Sequence, residues 1–507
     1  MRKHEIVIIG MGLASLSTAA RLYELGKRDI GIYTKAYGGT PFIAAINFVL
    51  PNNPLGDTID QYCKDLINAG YRANNKKLVK EMTSNTMNGY ELLRRWGVEF
   101  AKNDDGTTKL RHLSGHTHPR SLCCTTELIG LEILNKLEKG LKEKGINIYK
   151  NCDCIKILKE DGQVKGITIK NENDELENVY SRNIVAGWGG VGNLFGVSTY
   201  PKDIRGNTLA IAKEAGADLV DIEFLEYEPM VILNPKGAVG EPCPTAMLGE
   251  GAHLLNSDNE RFMLKVRPQG EGGSPKTLIN KQIWKEVAAG KGSEHGGAWV
   301  DLRHIDRNVL KAYPWFFNRL MDNGVDPNKE LVEVGPMAHS FSGGILVDEN
   351  YESTLKGFYA VGEACGGVHG ACRCAGNAAS QATLSGLLCA EAIAKVNKKI
   401  EEKEFVINKE FAINYVENKD IYNKYVPKAK QLAVKALGIY RDGKVLEDSL
   451  MTLKSWLNSD DIHNDTETNQ IVESIKLMVE AALNRKESRG THMRLDYPET
   501  LKEYEII

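Results

Sequence analysis

The sequence predicts an α/β protein built on a parallel sheet, interrupted by an inserted α+β domain and closed by a C-terminal helical domain. Three observations predict this. Ile6 to Ile9 is a continuous β-branched run ending at Gly10, as expected of a strand buried on both faces of a parallel sheet. From Val239 to about Pro336 the chain is glycine-rich and loses strand–helix alternation. From Lys409 onward it is charged, with amphipathic stretches at Ile421 to Leu437, Val445 to Leu457 and Asn469 to Leu483, the pattern of surface helices with one apolar face.

Each element follows from its punctuation. Leu13 to Gly26 reads as a helix and Gly31 to Thr34 as a second strand, so the first 35 residues form a βαβ unit. Two further apolar strands run into glycine turns, Asn183 to Ala186 before Gly187-Trp188-Gly189-Gly190, and Gly357 to Val361 before Gly362-Glu363. The resulting division is 1–238 and 336–408 for the two parts of the sheet domain, 239–335 for the insertion and 409–507 for the helical domain.

Composition narrows the function. A chain of 507 residues, 42% hydrophobic, can bury a large core. Its 64 basic and 67 acidic residues give a formal charge of -3, so no global field draws it to nucleic acid or an anionic membrane. Ten cysteines at irregular spacings contain no C-x-x-C pair for a cluster or structural zinc, and no metal site is predicted. With no secretory leader and no apolar run of ~18 residues, a cytoplasmic protein without a membrane span is expected.

Gly10-Met11-Gly12-Leu13-Ala14-Ser15 follows a strand and opens a helix. A dinucleotide's pyrophosphate needs that context, because it requires close backbone approach and the free N–H groups of a helix N-terminus. Ser15 stands where a third glycine is usual. The second strand ends in Thr34-Lys35 rather than in the acid that commonly holds an NAD ribose. The unit is Rossmann-like, and an NAD cofactor is disfavoured.

Several segments together resemble the flavoprotein family of fumarate reductase, succinate dehydrogenase and L-aspartate oxidase. They are Ala186 to Phe195 (with Trp188 inserted), Gly206-Asn207-Thr208 through Glu223-Phe224, Lys356 to Glu363, His369-Gly370-Ala371-Cys372-Arg373, Gly376-Asn377-Ala378, and the C-terminal Glu487 to His492 and Arg494 to Pro498. The resemblance implies FAD as cofactor and assigns its grip to Gly10, Gly12, Leu13, Ala14, Ser15, Thr34, Lys35, Gly38, Gly39, Thr40, Ala186, Gly187, Gly189, Gly190, Gly362, Glu363, Arg373, Asn377, Ala378 and Ala379, with Glu363 on the ribityl chain. Some family members attach FAD through a histidine just after the second strand. Here Ala36-Tyr37-Gly38-Gly39-Thr40 occupies that place, which implies non-covalent FAD.

The family moves a hydride between flavin N5 and a small carboxylate, and an arginine passes the proton. His339 and Arg373 match its carboxylate-binding pair, and an arginine fork with a histidine donor suits that task. Three positions depart: Glu228-Pro229-Met230 replaces His-Pro-Thr, Pro244-Thr245 replaces Thr-Glu, and Lys276 stands at the proton-transferring arginine. The expected catalytic set is therefore Lys276, His339, Arg373 and Glu228. Lys276 would need a pKa lowered by desolvation or a nearby cation to accept protons, and Glu228 is expected to face the far end of the substrate. The substrate is then an organic acid other than fumarate, carrying a cationic or donor group and changed at a C–C or C–N bond.

Two other readings stand beside it: an electron-transfer subunit working with an iron–sulfur or ferredoxin-like partner, and L-aspartate oxidase itself. Assembly into an oligomer is compatible with all three. Cys372, Cys374, Cys123 and Cys124 read as small buried hydrophobes rather than a redox relay.

Overall fold

A computed structural model describes residues 2–399 except 52, 54, 126 and 127, together with 410–505. The expected boundary at 408 lies outside the described residues. The central sheet has five parallel strands in the order Phe358–Ala360, Ile184–Ala186, Ile6–Ile9, Ile30–Thr34 and Asn147–Lys150. All four residues of Ile6–Ile9 are buried, which is why that run carries no polar alternation. Helix Leu13–Glu24 lies against helix Asn377–Lys399 on the sheet. The turns after Ile9, Ala186 and Ala360 thus emerge side by side at the carboxyl edge, where ligands of open parallel sheets bind.

The insertion is organised by a four-stranded antiparallel sheet, Leu225–Asn234, Val332–Phe341, Ala298–Asp301 and His253–Leu255. Its two long strands begin before and end after the glycine-rich stretch. The C-terminal helices are Lys419–Ala436, Gly443–Leu457 and Thr466–Asn484. Each begins two or three residues before its apolar stretch because a cap sets the start: the side chains of Asn418, Asp442 and Asp465 accept from the N–H groups of Asp420, Val445 and Thr468. The core of these helices also contains Leu225, Ala338 and Phe341, so the helical domain braces the two strands that carry the site. No helix among the described residues is long and apolar enough to cross a membrane.

Candidate active site

One cavity of ≈ 460 Å³ runs from the Gly10 turn to the insertion. At its first end, helix Leu13–Glu24 is preceded by Gly12 with no side-chain cap and has no acid in its first turn, leaving N–H groups for an anion. The Leu13 N–H donates to Thr40 Oγ1 at 2.8 Å. The approach is close enough to exclude side chains: at Gly10, with φ +93°, a Cβ would stand 2.4 Å from Gly187 O. Thr34, Lys35, Gly38, Gly39 and Thr40 line the same end, while Lys35 pairs with Asp153 at 3.1 Å.

Gly189, Gly190, Gly362, Glu363, Ala378 and Ala379 continue the wall toward the insertion. Glu363 Oε1 accepts from Tyr200 OH at 2.5 Å and from the Phe341 N–H at 2.9 Å. Burial raises the Glu363 pKa, and its donors and Arg373 only partly offset the rise.

Three expected contact residues lie behind this wall. Ser15 is fully buried, with its hydroxyl 3.4 Å from Ile9 O and Gly187 O; it fills the helix–strand gap that a third glycine would leave open. Ala186 is buried within the sheet. Asn377 is buried and accepts from Tyr62 OH through Oδ1.

Lys276, His339, Ser340, Phe341 and Arg373 line the inner end. Strand Val332–Phe341 carries His339, helix Lys276–Ala288 starts at Lys276, and the segment before helix Asn377–Lys399 carries Arg373. Asn280 donates to Tyr227 O at 2.8 Å and so fastens the lysine's helix to strand Leu225–Asn234. On that strand Glu226 and Glu228 are two residues apart and share a face. Glu228 holds the Lys276 ammonium, whose nitrogen also stands 3.6 Å from Glu226, and Glu226 accepts from Arg373 Nη2 at 3.1 Å.

This corrects the expectation for Glu228. It is only 5% exposed and backs Lys276 rather than facing the cavity. Glu226 was not among the sequence candidates; the alternation Glu226-Tyr227-Glu228 beside a predicted carboxylate was the available signal.

The electrostatics correct the reading of Lys276 as well. Burial and the helix N-terminus both disfavour its charge, but Glu228 and Glu226 outweigh them and its pKa is raised. It is a held cation. His339 is driven the other way, to about 3, by burial and then by Lys276 and Arg373, so its imidazole is neutral at pH 7. Glu226, Glu228 and His339 have ligand atoms within 4.8 Å of one another, a spacing that could hold a metal ion, but the Lys276 ammonium already places a cation beside both carboxylates. Burial pushes the thiols of Cys372 and Cys374 to about 12, so neither is a thiolate.

A parallel-sheet cradle shaped for a dinucleotide, continuous with an inner end of held cations, defines a flavin-dependent oxidoreductase. The chain belongs to the FAD binding domain family, which matches residues 5–379; the family described as fumarate reductase flavoprotein C-term matches residues 448–504. Its cofactor is FAD. It is 28% identical to one subunit of the fumarate reductase (CoM/CoB) of Methanothermobacter marburgensis, over 99% of this chain and 95% of that one. L-aspartate oxidase of Streptomyces coelicolor is 30% identical, over 77% of this chain and 67% of that one. The fold matches Mycobacterium smegmatis Sdh1, with a TM-score of 0.85 at 23% identity over 99% of this chain and 90% of that one.

Proposed function

We propose that this oxidoreductase acts on a small organic acid other than fumarate, at a C–C or C–N bond, and that the acid carries an amino, imino or other N–H group. Bound FAD supplies the hydride acceptor or donor, held non-covalently by the glycine turns and Glu363. The observation that carries the reading is the pairing of Lys276 and Arg373, the two cations at the inner end of the cavity, with buried glutamates. Two carboxylates against one lysine and one arginine leave no net charge, and His339 adds none. A dianion would meet a neutral site, whereas a ligand of low net charge meets matching donors and acceptors.

Arg373 supports one carboxylate. Of the five N–H groups of a guanidinium, three are spent on Ser340 Oγ, Cys374 O and Glu226 Oε1, leaving two. Glu226 Oε2 is buried with no hydrogen-bond partner among the described residues, and Glu226, like Glu228, acts from behind the cavity wall through the cation it holds. Lys276 gives the proton to the substrate carbon or nitrogen in the reducing direction, and Glu228 holds it in place for that step.

Anaerobically reduced enzyme mixed with fumarate, simple enoates, and amino- or imino-substituted acids tests this by flavin reoxidation at pH 7. The nitrogen-bearing acids should react at least tenfold faster than fumarate. Fumarate reacting as fast as any of them would overturn the reading, and turnover of L-aspartate with O₂ would replace it with the oxidase. The relative from Methanothermobacter marburgensis is itself one subunit of its enzyme, which supports a partner protein here, and an iron–sulfur or ferredoxin-like electron source is the partner we propose. Co-purification of such a protein from native cells is the check.

A further inference from the structure

Two neighbouring residues outside the expected set, Thr199 and Tyr200, each hold one of its members. Thr199 Oγ1 stands 2.8 Å from His339 Nδ1 and 3.3 Å from Ala338 O, and the Thr199 N–H donates to Ala338 O at 3.1 Å. Tyr200 OH donates to Glu363 Oε1 at 2.5 Å. Both residues line the cavity. The strap is anchored at its other side too: a Cβ on Gly192 would fall 1.9 Å from Tyr200 Cγ, and one on Gly190 would fall 2.8 Å from Glu363 Cδ. These glycines let the Tyr200 ring and Glu363 lie directly on the turn after strand Ile184–Ala186.

We propose that Thr199 and Tyr200 are positioning residues, Thr199 fixing the tautomer of His339 and Tyr200 fixing the carboxylate of Glu363 for the cofactor. The Thr199 hydroxyl has one proton, which can go to Nδ1 at 2.8 Å or, with Nδ1–H donating to the hydroxyl, to Ala338 O at 3.3 Å. The second contact is the longer and Ala338 O already accepts from the Thr199 N–H, so donation to Nδ1 is the favoured arrangement. Glu228 Oε2 lies 3.6 Å from His339 Nε2 and favours a proton there. The neutral imidazole therefore carries its hydrogen on Nε2, where it serves as a donor to a carboxylate, and presents a bare Nδ1 to Thr199. For Glu363, the phenol and the Phe341 N–H converge on one oxygen, which fixes the plane of the carboxylate beside the glycine turn.

Ring ¹⁵N shifts of His339, assigned by loss of the signal in His339→Gln, and the FAD dissociation constant test the two halves on the whole chain. Wild type should show a protonated Nε2 and an unprotonated Nδ1. Thr199→Val should give a tautomer mixture, with Thr199→Ser restoring the wild-type pattern and FAD affinity within about twofold of wild type. Tyr200→Phe removes a buried hydrogen bond from Glu363 and should weaken FAD about tenfold. An unchanged tautomer in Thr199→Val, or Tyr200→Phe binding FAD within about twofold of wild type, overturns the corresponding half.

Discussion

Lys276 has two glutamates for neighbours, and its chemistry depends on which effect prevails. Desolvation alone would lower its pKa, and Glu228 and Glu226 reverse the sign. Replacing Glu228 with Gln should therefore lower the lysine pKa, and the alkaline limb of the rate–pH profile in the reducing direction should move to lower pH. An unmoved limb would show that the charge of Glu228 does not set the lysine's titration. Lys276→Met should cost about 10²-fold or more in the same rate, the usual contribution of a positioned acid, while the flavin spectrum stays that of wild type. The roles proposed for Lys276, His339 and Arg373 were readable as residue types at motif positions. The Glu226–Arg373 and Glu228–Lys276 pairs were not, because their members lie 147 and 48 positions apart and only the folded strand sets them against each other.

The strand–turn–helix at Gly10 is legible because its requirements are local. A β-branched run, a residue with positive φ and a helix without an acidic first turn follow one another within the βαβ unit. Ser15 looked like a flaw in the motif and proves to be packing, filling the space under Gly187. The glycine that cannot change is Gly10, where a Cβ would meet Gly187 O at 2.4 Å and φ is +93°. Gly10→Ala should yield a folded protein that purifies without yellow colour, or one destabilised by roughly 1–3 kcal/mol from the strained backbone. Ser15→Gly should keep its flavin. Retention of stoichiometric FAD by Gly10→Ala, read from the flavin's visible absorption band against protein, would show that the turn relaxes. The strands Leu225–Asn234 and Val332–Phe341 were harder to read as a pair: register shifts interrupt their pairing and the whole insertion separates them, so no local pattern announces it.

Across the whole molecule, the C-terminal helices are joined to the sheet domain through buried charge. Arg489 is paired with Glu487 and donates to Tyr71 O and Leu501 O, Arg485 is held by Glu223 and Glu487, and Arg441 donates to Glu223 O. Asp221 sits in this network with Oδ2 lacking any partner among the described residues. Burial and then the Glu223 charge push its pKa up to about 7, against the pull of Arg485 and the Gly367 N–H. An acid whose folded pKa exceeds its unfolded value stabilises the fold below the unfolded pKa, and that contribution is lost as pH rises through the folded one. His339 and His116 act oppositely: burial holds them at about 3 and about 4, so they add stability as pH climbs to their unfolded value near 6.5. Above about pH 6.5 the histidine contributions are complete and that of Asp221 is still changing. Unfolding of the FAD-saturated protein from about pH 6.5 to about pH 8 should therefore show wild type losing stability relative to Asp221→Asn, with the gap closing toward about pH 4 as the unfolded aspartate takes up its proton. Parallel curves for the two proteins across this range would show that Asp221 is already ionised in the fold, and that Arg485 rather than burial governs the junction.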